Sequence, residues 1–233
     1  MTVVDELIVI RHGQSAANVA FPLADEKGLL ESGLTGRDAD VALTDLGVEQ
    51  ARAVGRWLAA LPAERVPEVA VVSPYLRARE TWRIAAEASG LGLPAPTADE
   101  RLVDRLLGDL EMLTRAAILA RFPDEPARWR EQANEYTYRP PGGEDFADIA
   151  ARLTLFLEDV NARHAGARVV VVAHDSVVLM MRCVIERLDW AALDAVVAEA
   201  GRVLNASITR FDGSSGRLVL DRYNSVEHLP ADS

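Results

Sequence analysis

Residues 7–13 read Leu-Ile-Val-Ile-Arg-His-Gly, an apolar, β-branched run cut off by an arginine, a histidine and a glycine. Such a run reads as a strand buried on both faces, which belongs in a parallel sheet covered by helices on each side. Ligands of open α/β sheets bind at the carboxyl ends of the strands. The Arg11-His12 pair therefore falls where chemistry takes place. Arg11 offers a permanent, forked charge suited to phosphate or carboxylate. His12 offers a nitrogen nucleophile that is neutral near neutral pH. Gly13 lets the backbone turn tightly and come close to a ligand.

The same pattern recurs along the chain. Residues 6–11, 69–73 and 168–173 read as buried parallel strands, while 207–211 and 217–223 flank the turn-rich Asp212-Gly213-Ser214-Ser215-Gly216 as an antiparallel hairpin. Helical periodicity covers 44–61, 74–89, 114–122, 144–164, 176–187 and 190–198. Thr44 and Ser73 suit N-caps, and Pro74 suits a first helical position. Strands alternating with helices predict an α/β three-layer sandwich: a mostly parallel central sheet flanked by helices, with one antiparallel edge strand. Two stretches, 17–41 and 125–143, look irregular, and long loops in a compact domain are more often functional lids than accidents. Neither resembles a linker, so residues 1–233 are read as one domain.

Composition narrows the function classes. With 49% hydrophobic and 26% charged residues, the chain has a globular profile. It contains no apolar run near the ~20 residues of a membrane span. The first strand begins too early to leave room for a signal peptide. Cys183 is the only cysteine, which rules out an internal disulfide and suits the cytoplasm; it reads as a small core residue. A net charge of −11 argues against nucleic acid and anionic membrane as partners. Lys27 is the only lysine, so an anion pocket here would be built from arginine forks.

His174 follows the run 169–173 at another strand end, and Arg77 falls in the first turn of the helix after 69–73. Three strand ends thus deliver Arg11-His12, Arg77 and His174, and the helix N-termini behind them add N–H donors. These parts make an anion site with a nucleophile in it. The ligand spacing of a metal site is absent from the sequence, and neither metal nor organic cofactor is expected.

Arg11-His12-Gly13 followed by Gln14-Ser15-Ala16-Ala17-Asn18 resembles the signature of the histidine phosphatase superfamily, in its phosphoglycerate-mutase-like branch. Further matches run in order: Leu43-Thr44-Asp45-Leu46-Gly47, Ser73-Pro74-Tyr75-Leu76-Arg77, Pro141-Gly142-Gly143-Glu144 and Val172-Ala173-His174. The resemblance implies attack of His12 on phosphorus, with Arg11, Arg77 and His174 holding the equatorial oxygens and Asn18 donating an amide hydrogen. It also implies a glutamate in a Leu-x-Glu-x-x-x-Gly frame as proton donor. Here Leu102-Val103-Asp104-Arg105-Leu106-Leu107-Gly108 carries Asp104 instead, one methylene shorter. Asp175, directly after His174, resembles the acid of the superfamily's acid-phosphatase branch. Asp104 is the first candidate for the acid and Asp175 the second. Met112 stands where the family tends to have glycine. Gly13, Asp175, Arg139 and Glu144 are candidate substrate contacts beside Asn18.

The resulting expectation is a metal-independent phosphomonoester hydrolase acting on a small phosphorylated metabolite, with a homodimer left open. The nearest rival is a cofactor-dependent phosphoglycerate mutase. Such mutases carry a Gly-Leu-Asn-Lys stretch where this chain reads Glu111-Met112-Leu113-Thr114. A catalytically weak phospho-ligand binding module is the alternative that the Asp104 substitution favours. Plainer readings stand beside these. Arg79, Arg83 and Arg105 read as surface residues, His164 as a helix-end partner and His228 as a tail residue. Asp104 could merely pair with Arg101 or Arg105, and Trp129 and Tyr138 serve equally as lid packing or substrate contacts.

Overall fold

The valine run 168–173 forms the strand around which the sheet is built. The computed structural model describes residues 3–132 and 134–230. Its strands are β1 (Glu6–Arg11), β2 (Val69–Val72), β3 (Thr97–Ala98), β4 (Arg168–Ala173), β5 (Ile208–Asp212) and β6 (Val219–Ser225). They form one sheet in the order β3-β2-β4-β1-β5-β6. β1 to β4 are mutually parallel, and β5 alone runs against its neighbours. β6 then pairs outside β5 as the other arm of the hairpin.

The helices are α1 (Ala16–Glu26), α2 (Asp45–Ala59), α3 (Leu76–Ser89), α4 (Arg115–Arg121), α5 (Glu125–Arg130), α6 (Phe146–Arg163), α7 (Asp175–Glu186) and α8 (Trp190–Ala200). Alternation along the strands divides the core in two. Leu7, Val9, Val169 and Val171 pack with Leu153 and Phe156 of α6 and Met180 of α7. Ile8, Ile10, Val170 and Val172 pack on the other face with Leu58 of α2 and Trp82 of α3. This is the expected α/β sandwich. Among the described residues, no helix is long and apolar enough to cross a membrane.

Sheet register sets the strand ends side by side. Arg11 pairs with Ala173, so His12 and His174 emerge from neighbouring strands. The Ser73 amide donates to the Val172 carbonyl at 2.9 Å, bringing the end of β2 to the same line.

Of the two expected N-caps, one is found and one is not. Thr44 caps α2, accepting from the Gly47 amide at 3.1 Å. Ser73 and Pro74 lie outside α3, whose N-cap is Tyr75. Ser73 Oγ instead accepts from the Tyr75 amide and meets His174 Nε2 at 2.8 Å. The stretch 17–41 is not wholly irregular: α1 occupies its first part, started by a Ser15–Asn18 capping box. Short α5 likewise lies inside 125–143.

Candidate active site

His12 forms part of the floor of a hollow of about 840 Å³ at the carboxyl ends of the parallel strands. Only 2% of it is exposed. Its Nδ1 lies 2.7 Å from the Gly13 carbonyl. A carbonyl can only accept, so Nδ1 carries the proton and Nε2 keeps its lone pair. Burial pushes the His12 pKa well below its ordinary value, and His174, Arg77 and Arg11 push the same way. The ring is thus a neutral, oriented nucleophile.

Gly13 serves this geometry in a way its sequence context does not reveal. A Cβ there would stand 2.5 Å from the Gly47 carbonyl oxygen, and one on Gly47 would stand 2.0 Å from that of Gln14. The two glycines let the loop after β1 and the start of α2 touch backbone to backbone. Gly13 therefore approaches protein, not ligand, and is absent from the hollow's lining. Its amide donates to Thr81 Oγ1 at 3.0 Å, and that of Gln14 to Gln50 Oε1 at 2.8 Å.

Arg11, Arg77, Asp104, Asp175 and Asn18 all line the hollow with His12. Arg11 donates to the Val203 carbonyl at 2.6 Å and pairs with Asp175 at 3.2 Å. Its Nε is buried without a hydrogen-bond partner among the described residues. Asn18 Oδ1 accepts from the Ser15 amide and hydroxyl and from Asn205 Nδ2. That arrangement leaves Asn18 Nδ2 as the free donor. His174 stands behind His12, with ring centroids 5.2 Å apart, and does not itself line the hollow. Its Nδ1 lies 3.3 Å from Asp104 Oδ2, outside hydrogen-bond alignment. Burial pushes the His174 pKa down to about 3 against the pull of Asp104.

Asp104 is not a surface partner of Arg101. One oxygen accepts from Ser176 Oγ and the Arg105 amide, each at 2.8 Å. The other meets Arg77 at 3.1 Å and His174. Burial favours its neutral form, but the pull of His174 and Arg77, with the hydrogen bond from Ser176, outweighs burial and holds the carboxyl below its ordinary range. Asp175, the first residue of α7, behaves oppositely. Its side chain lines the hollow and is about half-exposed; partial desolvation there raises its pKa, Arg11 opposes the rise, and nearby Asp104 adds to it.

Two expected contacts lie elsewhere. Arg139 is half-exposed and pairs with Asp145 and Asp148. Glu144 pairs with Arg152, which also donates to the carbonyls of Arg101 and Asp104. It thus braces the loop carrying Asp104, and neither residue lines the hollow. Arg105, expected at the surface, is tucked under it, donating to the Tyr138 and Glu144 carbonyls with its guanidinium 4.7 Å from the Phe146 ring. Trp129 lines the hollow, whereas Tyr138 donates its hydroxyl to Glu125 at 2.6 Å as lid packing. Met112 takes a positive φ of 61°, a conformation glycine adopts freely.

Sequence reasoning missed Asn205, which donates to the His12 carbonyl at 3.2 Å, and Asp38, which grips Arg77. Neither belongs to a periodic pattern. Among the described residues, no cluster of His, Cys, Asp and Glu could hold a metal ion.

The sequence pattern described as "Histidine phosphatase superfamily (branch 1)" matches residues 7–226. The 2,3-bisphosphoglycerate-dependent phosphoglycerate mutase 2 of Gloeobacter violaceus is 34% identical over 193 residues, covering 82% of this chain and 78% of that protein. A mycobacterial glucosyl-3-phosphoglycerate phosphatase, solved with inorganic phosphate, superposes with a TM-score of 0.68 at 27% identity, covering 97% of this chain and all of that one. Bacillus stearothermophilus YhfR superposes with a TM-score of 0.75 at 25% identity, covering 97% and 99%.

Proposed function

The chain belongs to branch 1 of the histidine phosphatase superfamily, and we propose that it hydrolyses small organic phosphomonoesters through a phosphorylated His12, without a metal ion. The observation that carries this reading is the state of His12. The ring is neutral, its Nδ1 proton is tied to the Gly13 carbonyl, and it faces a hollow that also holds the Arg11 and Arg77 guanidiniums.

His12 Nε2 forms the bond to phosphorus while the ester oxygen leaves in line. Arg11, through its unpartnered Nε, and Arg77 offset charge on the equatorial oxygens. Asn18 adds a neutral donor. The leaving oxygen takes a proton from Asp175, whose raised pKa keeps that proton available, in preference to Asp104, which Arg77 holds ionised. Water then attacks phosphohistidine, gives its proton to the Asp175 carboxylate, and releases inorganic phosphate and neutral His12.

The remainder of the hollow favours an alcohol with an apolar body. Phe21, Leu110, Ile118, Trp129 and Leu179 line it, and the nearby carboxylates Asp25, Glu111 and Glu135 disfavour a second acidic group. Of the three remaining arginines there, Arg115 pairs with Asp25 at 3.4 Å, Arg105 is taken by carbonyls, and Arg202 is exposed with no ion pair among the described residues, the one cation left for a second acidic group. Likeness to curated mutases favours a second reading, phosphoglycerate mutase, and these walls weigh against it.

The test is phosphate release from a panel of phosphomonoesters in EDTA, with His12→Ala as control. Turnover by the parent protein and none by the variant is expected, together with acid-labile labelling of the parent alone. Equal rates for both proteins would end the hydrolase reading. Conversion of 3-phosphoglycerate only when 2,3-bisphosphoglycerate is added, without release of phosphate, would favour the mutase.

A further inference from the structure

Arg77 is buried, and every terminal N–H of its guanidinium already has an acceptor. Nη1 donates to the Asp38 carbonyl at 2.7 Å and to Asp38 Oδ1 at 3.1 Å. Nη2 donates to Asp38 Oδ2 at 2.9 Å and to Asp104 Oδ2 at 3.1 Å. The two terminal nitrogens carry four of the five guanidinium hydrogens, so no terminal N–H is left for a phosphate oxygen and only the Nε–H stands outside these bonds. Asp38 therefore presents two oxygens to the fork in the bidentate manner a phosphate would use. The fold supplies it from the irregular segment between α1 and α2, in a three-residue helical turn, Asp38–Asp40. It lines the hollow, and about a fifth of its side chain is exposed.

Resting on the phosphatase reading, we propose that Asp38 is a specificity-determining residue, an internal carboxylate that occupies the Arg77 subsite and is displaced only by a phosphoryl group that also engages Arg11 and His12. Electrostatics sets the direction. A phosphate dianion arriving at Arg77 meets Asp38 as a like charge and as a competitor for the same donors. An ester whose alcohol gains contacts along the hollow offsets the displacement; free inorganic phosphate has no alcohol and gains nothing further. Asp38 thus weakens product retention more than substrate binding. Asp104 holds one Nη2 hydrogen, but its other oxygen is anchored by Ser176 and the Arg105 amide. Asp38 is the partner held mainly by Arg77 itself. Gly36, two residues before it, has φ +89° with open space where a Cβ would be, so the chain can turn there without collision.

The test compares Asp38→Asn and Asp38→Ala with the parent protein, using inorganic phosphate as probe, by calorimetry and as a competitive inhibitor of phosphomonoester hydrolysis. Asp40→Asn is the control, since among the described residues the Asp40 carboxylate pairs with exposed Arg37 alone, beside the same turn. A charge-assisted hydrogen bond to a competitor is worth enough to change affinity by about ten- to hundredfold. Phosphate dissociation and inhibition constants are expected to fall at least ~tenfold in both Asp38 variants. KM for the ester should fall less, and Asp40→Asn should match the parent. Phosphate binding that is unchanged or weaker in both variants, with melting temperatures retained, would overturn the inference: Asp38 would then only hold Arg77 in position. The phosphatase reading fails separately, if the parent protein neither turns over any ester nor forms phosphohistidine. Tighter phosphate binding in the variants would still support Asp38 as the competitor in that case.

Discussion

Replacing Asp175 by asparagine separates proton donation from phosphate binding. The amide keeps the shape of the carboxyl and an oxygen for Arg11, which lies 3.2 Å away. Arg11 also keeps its bond to the Val203 carbonyl, so the phosphate clamp survives. What disappears is the proton. A positioned general acid contributes about 10²–10⁴ in rate, roughly 3–5 kcal/mol of barrier. That whole loss should fall on esters of poorly acidic alcohols. With p-nitrophenyl phosphate the leaving group departs unprotonated, and the loss should stay below about tenfold, under the general-acid range. The pH dependence follows with its sign. Catalysis needs neutral His12, whose pKa lies well below its ordinary value, and protonated Asp175, whose pKa is raised. Activity on alkyl esters should therefore peak in acid and decline as pH rises through the Asp175 value. Asp175→Asn should flatten that decline. The assay is kcat/KM for both ester types across pH. Equal losses on the two esters would refute the assignment. So would a leaving-group split that appears in Asp104→Asn in place of Asp175→Asn.

Gly47→Ala drives a methyl to 2.0 Å from the Gln14 carbonyl oxygen, and backbone on both sides must give. Overpacking of this kind costs about 1–3 kcal/mol, a melting temperature lower by roughly 2–12 °C for a chain of this size, readable by calorimetry. Arg139→Ala removes a half-exposed ion-pair residue standing clear of the hollow. Its kcat/KM should equal the parent value, and a large drop would return Arg139 to the substrate site. Phosphate binding should take up protons, because a dianion entering beside Asp104 and Asp175 raises their carboxyl pKa values. Calorimetry in buffers of different ionisation enthalpy measures that uptake, and proton release would contradict the reasoning.

The strand ends were legible because buried parallel strands advertise themselves. Leu7–Ile10 and Val169–Val172 are continuous apolar runs, and whatever polar residue stops them must stand at the sheet's edge. Convergence of residues 11, 12, 77 and 174 follows from that rule and the parallel register. The helix 16–26 was hidden for a physical reason. It contains Pro22, has no acidic first turn, leaves Val19 and Leu23 exposed, and has Asn18 at the third position of its capping box, where Glu or Gln is familiar. β3 is two residues long, too short for any alternation. Arg105 and Arg139 were misjudged together. A guanidinium folded over a ring and one held by two aspartates share the same composition, and only tertiary geometry tells them apart.

Asp38 was illegible for a deeper reason, and the same reason explains how an acidic chain handles an acidic ligand. Its partner Arg77 lies 39 residues away on another element, so no local pattern marks the pair. Yet a buried guanidinium cannot stand unpaired, and a chain of net charge −11 has carboxylates to spare for it. The chain supplies its own anions to that fork, Asp38 and Asp104. Phosphate binding is then an exchange of one anion for another. Its selectivity depends on what the incoming group gains beyond the exchange, through His12, the free Nε of Arg11 and the apolar wall of the hollow.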